Sequence, residues 1–323
     1  MVIIGAGTIG TALGHVLAGN HRIPVILLSI EKDVVSSINE HQCNERYFPT
    51  FRLHPGLTAT LDTNVLRETS IIFLAIPSVS LVEYLDQIKK FISEQALLVN
   101  LAKGFGCGHQ TIVECLLERF PNPVAAMKGP TFAREIINGI PAGFTLGITD
   151  MDIAAQFMKM FSGTSIYLDH TRDIIGVEIL SILKNMYAIV LGIIDAQFNS
   201  PNIRFLVLTK AFREMRKVLL FYGGQEDTLF RYCGYGDFTL TALNDLSRNR
   251  TLGLLIGKGF FTEQMSHELV LEGKTAIQVF YEELSRKVPV KEHFPILSEL
   301  YRLLHEPYPV TGFAKTILEV EEV

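Results

Sequence analysis

The chain has 323 residues, 48% of them hydrophobic and 20% charged, and carries a net charge of −5. This describes a globular chain with ample core, too long for one small domain, so two domains are expected. The acidic balance and the dispersed basic residues exclude a nucleic-acid-binding field.

The first predicted strand, 2–4, runs straight into Gly5-x-Gly7-x-x-Gly10, and a helix-compatible segment follows at 11–18. Strand, glycine turn and helix are the setting in which this motif binds a dinucleotide. Gly5 permits the tight turn, Gly7 lets backbone N–H groups approach a pyrophosphate, and Gly10 allows close helix–strand packing. The second strand, 25–28, is followed by Glu31. A carboxylate there accepts hydrogen bonds from both ribose hydroxyls of NAD and repels the 2′-phosphate of NADP, which favours NAD. The same residue also suits the acidic start of the next helix.

Further strands are predicted at 71–76, 96–101, 124–127, 144–148 and 165–168, with helices at 79–91 and 111–119 among them. This alternation predicts a mostly parallel sheet covered on both faces. Beyond about residue 170 the strands stop, and apolar spacings of three and four predict helices at 173–195, 202–222, 275–286 and 293–304. The expected architecture is an α/β Rossmann-like domain over 1–171 followed by an all-α domain over 172–323. Residues 174–194 are apolar enough to raise a membrane span, but Glu178, Lys184 and Asn185 lie inside them. Each central charge would cost about 2.5–3.5 kcal/mol on insertion, so a buried helix and no membrane insertion are expected. Four cysteines (Cys43, Cys107, Cys115 and Cys233) and nine histidines match no metal-ligand spacing. No metal site is expected, and reduced thiols in a cytoplasmic protein without a signal peptide are.

Ligands of such sheets bind beyond the carboxyl ends of the strands. Three loops stand there: Ile76-Pro77-Ser78, Leu101-Ala-Lys103-Gly104 and Lys128-Gly129-Pro130-Thr131-Phe132-Ala133. Lys103 offers a cation for a phosphate or a polarised oxygen, or is a solvated loop lysine. Pro130 and Thr131 suit a helix start facing an anion. Lys184 lies in a helix that is apolar on nearly every side. Burial there would lower its pKa toward neutrality and suit a general acid or base; the alternative is a lysine reaching outward from a helix edge. Asp237 and Thr241, four apart, share a helix face from which Asp237 can pair with Lys184. In Ser247-Arg248-Asn249-Arg250, the Arg248 guanidinium matches phosphate oxygens, although the run also suits a polar helix start.

Together these segments resemble the bacterial-type NAD(P)-dependent sn-glycerol-3-phosphate dehydrogenases. The matching pieces run from residue 2 to about 275. They include Ile4-Gly-Ala-Gly-Thr-Ile-Gly-Thr-Ala-Leu13, Tyr47-Phe-Pro49, Ala102-Lys-Gly104, Gly129-Pro-Thr-Phe-Ala133, Leu183-Lys-Asn185, Gly234-Tyr-Gly-Asp237, Ser247-Arg-Asn-Arg250 and Leu271-Glu-Gly273. The resemblance implies interconversion of dihydroxyacetone phosphate and glycerol 3-phosphate with NAD(H) or NADP(H), supplying the glycerophospholipid backbone. It implies a catalytic set of Lys184, Lys103 and Asp237. Substrate-side positions are Lys103, Gly129, Thr131, Lys184, Asp237, Ser247, Arg248 and Asn249. Cofactor-side positions are Thr8, Ile9, Lys103, Ala133, Arg248, Val270 and Glu272, beside Gly5, Gly7, Gly10 and Glu31. The substrate is a small phosphorylated molecule, and base rates for homo-oligomers point to a homodimer.

The chain departs from the family pattern in five places, one of them the segment Asn199 to Asn202 around the expected domain junction. Ile9 replaces an aromatic residue beside the pyrophosphate, and Ile30 stands where a basic residue is usual. Lys210-Ala211 replaces an Arg-Gly pair. Lys128 replaces a small residue and is expected to add a cation near the substrate loop. Lys128 motivates a second reading, a reductase of a related phosphorylated or hydroxy-acid substrate. Ile9 and Ile30 motivate a third, a dinucleotide binder without turnover.

Overall fold

The computed structural model describes residues 1–20, 24–260, 271–306 and 309–319. It divides into two compact units, Met1–Glu178 and Ile179–Val323.

In the first unit an eight-stranded sheet has the order β3-β2-β1-β4-β5-β6-β7-β8. The strands are β1 (Val2–Ile4), β2 (Val25–Leu28), β3 (Leu57–Thr60), β4 (Ile71–Leu74), β5 (Leu97–Asn100), β6 (Val124–Lys128), β7 (Ala142–Gly147) and β8 (Ile166–Thr171). All neighbours pair in parallel except β6 and β7. The sequence reading lacks β3. Its Leu-Thr-Ala-Thr offers one large apolar residue, and an edge strand buries too little to need more.

The helices of this unit are α1 (Thr8–Gly19), α2 (Lys32–His41), α3 (Ser78–Ile88), α4 (Ile112–Arg119), α5 (Ala133–Ile137) and α6 (Met151–Phe161). Leu13 and Leu17 of α1, Val34 and Ile38 of α2, and Phe157 and Phe161 of α6 join Ile3, Leu27 and Phe73 of the strands in one apolar core. Burying each such side chain stabilises the fold by about 1.5–3 kcal/mol. α4 starts with a capping box: Thr111 accepts from the Glu114 N–H, and Glu114 accepts from the Thr111 N–H.

α7 (Ile174–Phe198) is long and apolar enough to cross a membrane, but 94% of its most apolar window is buried inside the protein. Asn199, with φ of 43°, turns the chain into α8 (Pro201–Phe221), which opens on a proline. Then follow α9 (Glu226–Leu229), a single π-turn at Tyr232–Gly236, α10 (Asp237–Leu243) and α11 (Arg248–Gly257). The last elements are α12 (Leu271–Ser285), α13 (Val290–His293), α14 (Pro295–His305) and α15 (Val310–Glu319).

Two polar devices, one of them buried, tie these helices together. Glu214 of α8 accepts hydrogen bonds from the N–H groups of Ile296 and Leu297 at the start of α14, both at 2.8 Å, and from the Tyr187 hydroxyl at 2.9 Å. Lys210, one of the departures from the family pattern, donates to the carbonyls of Ile317 and Leu318 at 3.3 and 3.0 Å. It thereby caps the end of α15.

Candidate active site

In the first unit the chain leaves β1 through Gly5, whose φ of 109° favours glycine. A Cβ at Gly10 would run into the Gly5 carbonyl oxygen, so α1 starts this close to the strand only with glycine there. Gly7 differs: its φ is −74°, and a Cβ there would meet nothing within 4 Å. No side chain caps α1. Bare N–H groups with open space before them form the cradle that a pyrophosphate fills. Thr8 is exposed at the first turn, and Ile9 packs against the apolar core. These residues fit a dinucleotide.

Glu31 is the N-cap residue of α2 but makes no capping bond. Its carboxylate pairs with the guanidinium of Arg46. Sequence reasoning missed Arg46, because no spacing rule links a loop arginine to the end of the second strand. The adjacent Ile30 is 78% exposed. The basic group missing at position 30 is therefore present nearby, supplied by another segment.

Lys103 follows the end of β5, half-buried, and its Nζ donates to the Gly129 carbonyl at 3.1 Å. The Thr131 hydroxyl donates to the same oxygen at 3.2 Å. The structure thus brings Lys103, Gly129 and Thr131 together. A side chain at position 129 would collide with the Gly143 backbone of β7. The helix expected to begin at Pro130 and Thr131 begins instead at Ala133, and it has only five residues. Phe132, just before it, is extended.

Lys128 contradicts its expected place. It adds no cation to the loop: its side chain is fully buried, and its Nζ lies 2.9 Å from Glu178 Oε1. A lysine so deep is tolerated because it is paired.

In the second unit Lys184 of α7 is buried, 6% exposed. Its Nζ donates to Asp237 Oδ1 at 2.6 Å and to Thr241 Oγ1 at 2.8 Å. The four-residue spacing on α10 aims both groups at one point. Asp237 is 1% exposed, so the pair is withdrawn from water. The Ser247 hydroxyl accepts from the Arg250 N–H at 3.3 Å and caps α11. Arg248 is exposed at the first position of that helix, with Asn249 beside it. Arg250 is structural: it is buried between Asp195 and Asp245. The run is therefore a polar helix start and also a presentation of Arg248 and Asn249 at a helix N-terminus. Val270 lies outside the described residues, as does the side chain of Glu272.

Both parts of the chain match known proteins. Residues 1–154 match the model for the NAD-dependent glycerol-3-phosphate dehydrogenase N-terminus, and residues 173–315 match that for its C-terminus. The glycerol-3-phosphate dehydrogenase, NAD(P)+, of Methanothermobacter thermautotrophicus is 34% identical over 99% of this chain and 97% of its own length. That of Nitrosococcus oceani is 31% identical, over 94% and 89%. The crystal structure of glycerol-3-phosphate dehydrogenase from Coxiella burnetii superposes with a TM-score of 0.89 at 27% identity, covering 99% of this chain and 98% of that one. The chain belongs to the NAD-dependent glycerol-3-phosphate dehydrogenase family.

Proposed function

We propose that the chain interconverts dihydroxyacetone phosphate and sn-glycerol 3-phosphate, using NAD(H) or NADP(H), and so supplies the glycerophospholipid backbone. The observation that carries this reading is the buried Lys184–Asp237–Thr241 triad in a chain of this family. Lys184 protonates the ketone oxygen as C2 is reduced, and it withdraws the hydroxyl proton in the reverse direction. Asp237 and Thr241 fix the direction of the ammonium and stabilise its charge in a water-poor setting. Arg248 and Asn249, at the start of α11, bind the substrate phosphate through a charged fork and helix N–H groups. Lys103 polarises substrate oxygen, and Gly129 and Thr131 hold its side chain in place. The dinucleotide, when bound, supplies or takes up the hydride. Gly5, Gly7 and Gly10 with the first turn of α1 hold its pyrophosphate.

Glu31 accepts from the adenosine ribose hydroxyls, which favours NAD. Its partner Arg46 provides a cation for a 2′-phosphate, so NADP is also accepted. Arg46→Ala should weaken NADPH binding selectively and leave NADH nearly unchanged; equal losses for both would remove that role. We propose a homodimer in the cytoplasm, which sedimentation of the purified protein tests for its assembly. Loss of NADH absorbance on adding dihydroxyacetone phosphate tests the reaction itself. No oxidation with this ketone, but oxidation with another phosphorylated ketone or keto acid, would replace the substrate and keep the chemistry.

A further inference from the structure

Resting on the dehydrogenase reading, we infer that Lys128 is a positioning residue that sets the place of Lys103. Lys128 ends β6, two residues past the last β5–β6 partners, Asn100 and Ala126. Where that ladder stops, its ammonium takes over. It donates to the carbonyls of Asn100, at 3.1 Å, and of Ala102, and it pairs with Glu178 Oε1 at 2.9 Å. Glu178 accepts from Asn100 Nδ2 at 2.8 Å, and Asn100 Oδ1 accepts from the Ala102 N–H at 2.9 Å. Ala102 is therefore held at both its N–H and its carbonyl, and Lys103 is the next residue.

The far end of the same loop is gripped as well. Glu178 Oε2 accepts from the N–H of Val113, in the first turn of α4, at 3.4 Å. Lys103 then reaches across to the Gly129 carbonyl, one residue beyond Lys128. Two lysines thus link the ends of β5 and β6, one buried and fixed, the other at the loop. An apolar side chain at 128 would fill the same space but would draw neither carbonyl. The ammonium draws both, and Glu178 neutralises it.

The test separates charge balance from positioning. Lys128→Met alone leaves the buried Glu178 carboxylate without this ammonium, so the informative variant combines Lys128→Met with Glu178→Gln. Wild-type turnover of dihydroxyacetone phosphate with NADH tests the dehydrogenase reading by itself. The double variant should melt close to the wild type and bind NADH, while kcat/KM for the ketone falls about tenfold or more, as for a lost charge-assisted hydrogen bond. Adding Lys103→Met should lower kcat/KM no further than Lys103→Met alone does, because Lys128 acts through Lys103. Multiplicative losses would overturn the inference, and so would wild-type kcat/KM in the double variant. A double variant that does not fold would also overturn it, since Lys128 would then support the whole sheet and not the loop.

Discussion

The proposed acid–base chemistry rests on one buried ion pair, Lys184 with Asp237, and such pairs are asymmetric in their energetics. Removing one partner strands the other, which destabilises by about 3–5 kcal/mol. Lys184→Ala should therefore lower the melting temperature as well as abolish turnover, by several orders of magnitude, with NADH binding intact. Near-normal turnover in a folded variant would remove Lys184 from the mechanism. Arg248→Ala should act differently. Arg248 is exposed, so stability should barely change, while KM for the phosphorylated ketone rises by tenfold or more from loss of the charged fork. An unchanged KM would count against a phosphate role. At this scale the sequence was legible where a residue contradicts its own neighbourhood. Lys184 stands out as a charge in an apolar helix, and Asp237 and Thr241 stand out by helical spacing. The purpose of Lys128 was not legible, because it depends on Glu178 and on carbonyls of another strand. Arg46 was hidden for the same reason: its partner lies on another segment.

Among the elements, α1 shows how glycines of one motif carry different loads. Gly10 is excluded from any larger residue by the backbone of Gly5, whereas Gly7 faces open space. Gly10→Ala should thus destabilise the fold by about 1–3 kcal/mol through overpacking. Gly7→Val should leave the melting temperature nearly unchanged and raise the dissociation constant for NADH by tenfold or more. Equal effects on stability from both would contradict this division.

The α8–α14 contact carries a pH signature. Burial pushes the Glu214 carboxyl up from an ordinary 4.5 to about 7, against the opposing pull of the Ile296 and Leu297 N–H groups and the Tyr187 hydroxyl. A folded-state pKa raised in this way means that the native state binds the extra proton. Its contribution to stability is fully present below pH 4.5 and is lost as pH rises through about 7. That slope amounts to a few kcal/mol at about 1.4 kcal/mol per pH unit, and Glu214→Gln should flatten it in melts taken across the range. The long helices were readable from their apolar spacing and the buried strands from unbroken apolar runs. β3 was not, since four edge residues with one large apolar side chain carry little pattern.

For the whole molecule, the succession of a strand-rich part and a helical part was legible. A strand–glycine–helix opening, a βαβ rhythm and then helices alone describe a sheet unit followed by a helical one, and both family models match in that order. What the pattern could not supply was the antiparallel pairing of β6 with β7, because strand direction is set by the crossover and leaves no mark on the strand's own residues. Three of the departures from the family pattern have structural roles, while Ile30 stays exposed. Lys128 is buried against Glu178, Lys210 caps α15, and Ile9, partly buried, packs against the core. None of them alters the residues assigned to hydride and proton transfer.

In the proposed mechanism this chain reduces dihydroxyacetone phosphate with a proton from Lys184. The most direct measurement is the rate of NADH oxidation on adding that ketone to the wild type and to Lys184→Ala, with NADH binding to both recorded by fluorescence. Rapid oxidation by the wild type is expected, with none above background by the variant and similar NADH affinity in the two. Turnover by the variant at a wild-type rate, or none by the wild type despite tight NADH binding, would contradict this mechanism.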